Sequence, residues 1–130
     1  IIMLSILAIG CASKEQTFLE GEWRSNKKLT VANYTNNPEL TPKKKDFLNR
    51  ELGKLTLEFK GNKIRQYWYG DSSTDIEWKN FEIKDISGNR FTIEFRVGVF
   101  QTVEAEYILE NQCIYQTKLM SGFREYFCKL

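Results

Sequence analysis

Few residues in this chain are able to do chemistry. Its 130 residues include three cysteines, Cys11, Cys113 and Cys128, and no histidine. Without histidine there is no Ser-His or Cys-His pair to activate a nucleophile, and no imidazole to ligate a metal. A Cys-x-x-Cys pair, a usual zinc spacing, is also absent, so neither a metal nor any other cofactor is expected. Carboxylates working as an acid and base pair would have to converge in a cleft. Here they fall on the outward phase of alternating stretches, as Glu104, Glu106 and Glu110 do. Gly88 and Gly98 sit in or beside turns and form no phosphate-binding loop. The expectation is a protein without enzymatic activity, whose cysteines serve for modification or for a crosslink.

The surroundings of Cys11 say which. Ile1–Gly10 is an apolar run with one serine. It is far short of the roughly 20 residues that span a bilayer, and within the about 7–15 of a signal-peptide core. The first basic residue is Lys14. The basic leader is therefore missing, and the sequence is read as truncated at its start. Leu7-Ala8-Ile9-Gly10-Cys11 resembles the lipobox of bacterial lipoproteins, in which the cysteine receives lipid and becomes the new N-terminus. The family's leucine three places before the cysteine is replaced by Ala8, with Leu7 one place further out. The alternative is an ordinary cleaved signal that happens to end in cysteine. The resemblance implies a signal peptide over 1–10, a lipidated Cys11 with a tether over 11–17, and one folded domain over 18–130. A lipid bilayer is then a partner through Cys11. Ala12 stands where aspartate marks inner-membrane retention, which implies the outer membrane, with the domain facing the periplasm.

With Cys11 assigned to lipid, Cys113 and Cys128 remain, and an oxidising periplasm allows them to pair. They flank an expected hairpin, Cys113–Leu119 and Phe123–Cys128, turning around Met120-Ser121-Gly122. A turn centred on Met120-Ser121 sets the two cysteines directly opposite; one centred on Ser121-Gly122 offsets them by two residues.

Aromatic residues make up 14% of the chain, enough with its aliphatics to build a core, and this excludes disorder. A net charge of +2 is no basic footprint for nucleic acid. Phe18–Arg24 alternates as a strand. Leu29 and Val31 read as a short strand or its continuation. Thr41-Pro42 reads as a helix N-cap and first position, with Phe47, Leu48 and Leu52 as an apolar stripe and Gly53 as the stop. Lys43, Lys44 and Lys45 read as a solvated basic surface or as a contact for anionic lipid or an acidic partner.

Beyond Lys54 the pattern is β throughout. Leu55, Leu57 and Phe59 face Trp68, Gln66 and Ile64 across a Gly61-Asn62 turn. Ile76 and Trp78 change phase to Phe81 and Ile83, which suggests a bulge near Lys79-Asn80. Phe91, Ile93, Phe95, Val97 and Val99 alternate, followed by Val103, Ala105, Tyr107 and Leu109. The fold class expected is mostly β: an antiparallel up-and-down barrel of about eight strands with one short helix after the first. An open sandwich is the alternative.

Gly21-Glu22-Trp23 on the first of about eight such strands resembles the lipocalin group and its bacterial lipocalin-like lipoproteins. The resemblance implies that Trp23 plugs the closed end of the barrel beneath a basic side chain from the last strand, for which Arg124 is the nearest candidate. It further implies a small apolar or amphipathic ligand. The inward phase nominates Gln66, Trp68, Trp78, Phe95 and Tyr107 as its contacts. The alternative is a solid barrel that binds or inhibits another envelope protein, where outward Tyr67, Tyr69 and Arg65 match interface preferences.

Overall fold

Where large and polar residues alternate, the chain forms strands. The computed structural model describes residues 18–34, 38, 40–70, 77–117 and 123–130. The signal-like run, Cys11 and the tether lie outside them. Eight strands follow in order: β1 Gly21–Ser25, β2 Leu55–Lys60, β3 Lys63–Trp68, β4 Lys79–Ser87, β5 Arg90–Val97, β6 Gln101–Glu110, β7 Cys113–Gln116 and β8 Tyr126–Lys129. Each pairs antiparallel with the next, and β8 returns to β1, so the sheet is a closed barrel and not a sandwich.

Local turn chemistry sets much of the register. Lys60 pairs with Lys63 around Gly61-Asn62, placing Phe59 opposite Ile64 and Leu57 opposite Gln66, as expected. Asn111 and Gln112 both take positive φ, 51° and 62°, the condition for a tight turn whose twist matches the flanking strands. The irregularity in β4 is not at Lys79-Asn80. The register shifts between Lys84 and Ser87, where Asp85 has φ 52°. The apparent change of phase at Lys79 is the start of β4, since Trp78 precedes the strand.

In an up-and-down barrel the connections alternate between two ends. Turns β2–β3, β4–β5 and β6–β7 lie at one end, which is packed shut. Trp23, Phe59, Phe81, Phe91, Ile93 and Ile114 are buried there or in the middle of the barrel, joined by Leu19 from the segment before β1. Phe18 meets Phe91 edge to face at 5.2 Å, and Phe59 meets Phe81 in the same way at 5.4 Å.

The other end carries two helices between β1 and β2, not one: α1 Lys27–Tyr34 and α2 Pro42–Glu51. Leu29 and Val31 are thus helical. Asn26 caps α1 by accepting from the Leu29 N–H at 3.0 Å, and Thr30 and Tyr34, four apart, form its buried face. The expected cap of α2 is present, the Thr41 hydroxyl accepting from the Lys44 N–H at 3.3 Å. Leu52 is buried and Leu48 packs beside it, but Phe47 is 56% exposed and not part of the stripe. Tyr34, Leu40, Leu52 and Phe123 make a small second core between the helices and the β7–β8 connection.

Few hydrogen bonds dock the helices to the barrel. The Tyr126 N–H donates to the Thr30 hydroxyl at 3.0 Å, and the Asn26 N–H donates to the Tyr126 carbonyl at 2.7 Å. The buried Ser25 hydroxyl accepts from the Gly53 N–H at 3.0 Å and donates to the Glu125 carboxylate at 2.9 Å. Burial pushes the Glu125 carboxyl above its ordinary range, partly opposed by the Ser25 hydrogen bond.

Cys113 and Cys128 face each other on adjacent strands and form a disulfide. It sits on the outer wall beside Tyr115 and Tyr126, whose rings are 4.9 Å apart. The two cysteines are directly opposite, the first of the two expected registers, while Met120, Ser121 and Gly122, where the turn is expected, lie outside the described residues.

Replacing both cysteines by serine is expected to lower the stability of the oxidised protein by about 2–3 kcal/mol, since the crosslink closes a loop of sequence separation 15. Urea unfolding with and without reductant checks this: the wild type should shift on reduction and the variant should not. A carboxyl whose folded pKa is raised contributes stability below its unfolded pKa and loses it as pH rises through the folded value. Glu125→Gln keeps an acceptor for Ser25 and removes that loss. Its urea midpoint should equal or trail wild type near pH 4 and gain on it toward about pH 7.

Candidate functional site

Strands β3 and β4 are joined by only two residue pairs, Lys63–Asn80 and Ile64–Lys79. Neighbouring β4–β5 and β5–β6 ladders are far longer. The half of β3 from Arg65 to Trp68 therefore has no ladder on its β4 side among the described residues. Through this gap the barrel interior opens sideways into a cavity of about 210 Å³. Its inner wall is Leu57 from β2, Ile64 from β3, Phe95 from β5 and Tyr107 from β6. Arg65, Gln66, Glu77 and Lys79 line it at the gap.

The floor of the cavity is aromatic. Tyr107 stacks on Phe91 with ring centroids 5.8 Å apart. Burial in this apolar wall pushes its phenol up to about 12. At the mouth, Arg65 is held on the outer wall. Its Nε donates to Glu58 at 2.8 Å, and its guanidinium lies 4.7 Å from the Trp78 ring and 5.3 Å from that of Tyr67. Tyr67 in turn donates to Glu22 across β2. Arg24 covers Thr56 and lies 4.1 Å from the Tyr69 ring. This lattice of arginine, tyrosine and glutamate braces the outside of β1–β3, where the cavity opens.

The five residues nominated for ligand contact divide. Gln66, Phe95 and Tyr107 line the cavity, Gln66 at the exposed mouth. Trp68 and Trp78 do not line it. Trp68 sits at the end of β3, pairs with Leu55 of β2, has no ladder partner on its β4 side among the described residues, and is 42% exposed. Trp78 precedes β4 and lies on the Arg65 guanidinium outside the ladder. Leu57 and Ile64, on the apolar face of the β2–β3 hairpin, also line the cavity, as does Lys79, where the sequence suggests a bulge.

Trp23 is 1% exposed at the packed end, with its indole N–H donating to the Leu19 carbonyl at 2.8 Å. The cation over its ring is Lys129, 5.7 Å from the centroid, and not Arg124. Trp23 and Lys129 are direct partners on β1 and β8. Arg124 precedes β8 at the opposite end and lies 5.0 Å from the Tyr115 ring.

Two wider depressions are grooves on the surface. One, about 400 Å³, is lined mainly by outward residues of β4–β6, Glu82, Glu94, Arg96 and Thr102. The other, about 460 Å³, surrounds Phe18, Gln112, Lys129 and Leu130 at the packed end. Core residues form part of each lining, Phe81 in the first and Trp23 with Leu109 in the second. Among the described residues no group of three or more acidic or cysteine side chains is placed to hold a metal, and no helix is long and apolar enough to cross a membrane. No family model, no curated protein and no solved structure matches the chain.

A phenol raised to about 12 contributes stability that is complete below the ordinary tyrosine value near 10 and is lost as pH climbs through 12. Tyr107→Phe is therefore expected to flatten the alkaline loss of stability. It should also remove the last step of the phenolate absorbance titration, the measurement that checks it.

Proposed function

We propose that this protein is a lipid-anchored bacterial envelope lipoprotein whose barrel binds one small apolar or amphipathic ligand. The observation that carries the ligand reading is the cavity between β3 and β4, apolar inside and polar at its mouth. Its size limits what it takes. Drug-sized ligands occupy roughly 300–1,000 Å³, and at about 30 Å³ per water-sized group this space encloses about seven heavy atoms. A short apolar tail fits within, and a polar head would remain at the gap beside Gln66, Arg65 and Lys79. Anchoring at Cys11, and with it placement at the outer membrane facing the periplasm, rests on the lipobox-like Leu7–Cys11.

The reading is non-enzymatic. Ser25 is the serine engaged by a carboxylate, and it could be taken for a nucleophile. It is 5% exposed, lines no described cavity, and accepts from the Gly53 N–H while donating to Glu125, which makes it a docking residue for the helices.

A second reading, a protein-binding or inhibitory module of the envelope, is favoured by the outer wall of β1–β3, where Tyr69 is 63% exposed beside Arg24. Native mass spectrometry of protein extracted from its own membranes separates the two. The expected result is a bound small amphipath that is lost, or weakened about tenfold, in Ile64→Trp, whose larger side chain fills the cavity from its inner wall. A bare barrel with a stoichiometric protein partner would replace the ligand reading with the second one. Mass spectrometry of the Cys11-containing peptide from the same extract is expected to show added acyl chains; an unmodified Cys11 thiol would remove the lipid anchor from the proposal.

A further inference from the structure

The helical end of the barrel differs from the packed end in both charge and exposed apolar surface. Between β1 and β2 it carries Lys27, Lys28, Lys43, Lys44, Arg50 and Lys54, all exposed. Against them the described part of this connection has Asp46 and Glu51. The ion pairs among the described residues join Arg65 to Glu58, Lys84 to Glu94 and Arg90 to Glu106, so none of the six cations is neutralised in one. Lys43 and Lys44 stand in the first turn of α2, where the helix dipole disfavours them. Folding alone gives no reason for cations at that position.

The β5–β6 connection projects from the same end, since connections alternate between ends and β1–β2 and β5–β6 share one. Its tip is apolar where hairpin tips are usually polar. Phe100 is 98% exposed and Val99 78%, flanked by Val103 at 43% and Val97 at 36%. Residues 96–103 contain Arg96 and no acidic residue. Phe47 on α2, 56% exposed, adds a second aromatic at this end.

From this pairing we infer that the helical end docks on an anionic lipid bilayer, with Val99 and Phe100 entering the interface and the lysines of α1 and α2 on the headgroups. The charge complementarity is spread over three segments of chain on long, exposed side chains, with an aromatic tip and no acid within residues 96–103. A polybasic surface combined with a short apolar anchor is the two-part pattern that holds proteins at membrane surfaces. The docking goes beyond ligand binding and does not require Cys11 to be acylated.

The test uses the full chain as Cys11→Ser, which leaves the disulfide intact and no free thiol. A single cysteine is introduced as Phe100→Cys, or as Ile86→Cys at the packed end, and labelled with an environment-sensitive fluorophore. Vesicles contain about 30% phosphatidylglycerol in phosphatidylcholine, or phosphatidylcholine alone. The label at position 100 is expected to brighten severalfold and shift to the blue on the anionic vesicles only, and the label at 86 to stay unchanged. Adding Lys43→Glu and Lys44→Glu should weaken the response about tenfold or more. Acids in the first turn favour the helix, so this variant keeps its fold. The proposal is overturned by an unchanged label at 100, by equal responses at 86 and 100, or by equal responses to both vesicle types. A response that grows with protein concentration without vesicles would also overturn it, assigning the tip to a second copy of the chain.

Discussion

Pairing of β1 with β8 removes both edges of the sheet at once, through Trp23, Arg24 and Ser25 set against Lys129, Cys128 and Phe127. An open sheet of this length would leave two rows of unpaired backbone groups in water. Closure also decides what each strand's alternation means, because inward residues of all eight strands now share one interior. An eight-stranded barrel is just wide enough for side chains to fill. The packed end of this one is filled by rings, among them Trp23, Phe59, Phe81 and Phe91. The disulfide joins β7 to β8 on the outer wall beside the closing ladder. It therefore restrains the last hairpin, on which closure depends.

The interior fails to fill where the ladder fails. β3 and β4 share two pairs, and among the described residues no ladder continues alongside Arg65 to Trp68. Gln66 and Trp68, on this unladdered half of β3, are exposed. The outer wall compensates with side chains, Arg65 being fixed by Glu58, Tyr67 and Trp78 together. An isolated exposed pair of this kind contributes about 0–1 kcal/mol, so the lattice serves to fix position more than to stabilise. It holds the rim of the opening while the packed end holds the barrel.

What could be read in the residues was what depends on neighbours in sequence. The Leu55–Trp68 hairpin follows from a tight turn and one alternation, and both lie within fourteen consecutive positions. The Thr41 cap and Pro42 are equally local. By contrast, Leu29 and Val31 imitate strand spacing, and α1 becomes visible only through Asn26 as a cap and Thr30, whose hydroxyl meets Tyr126 far along the chain. The cation over Trp23 depends on register between the first and last strands, which no local pattern encodes, so the sequence alone points to Arg124 where the fold places Lys129. Trp68 and Trp78 have the inward phase or stand next to it. Phase says which way a residue points, but not whether a neighbouring strand extends far enough to enclose it.

The two ends of the barrel are built from different materials, and their stability should differ accordingly. The packed end is held by buried rings and a closed ladder, whereas the helices are held by a four-residue core and a few hydrogen bonds through Ser25, Thr30 and Tyr126. Segments with little buried apolar contact open at lower free energy than the core does. Among those few bonds one runs to a carboxyl that burial keeps partly against ionisation, so the seam weakens as that group gives up its proton. The lateral gap, the docked helices and the exposed β5–β6 tip all belong to this less firmly held half. A change of shape there leaves the aromatic end and the β1–β8 closure untouched. The barrel can therefore adjust its opening without giving up the constraint that makes it a barrel.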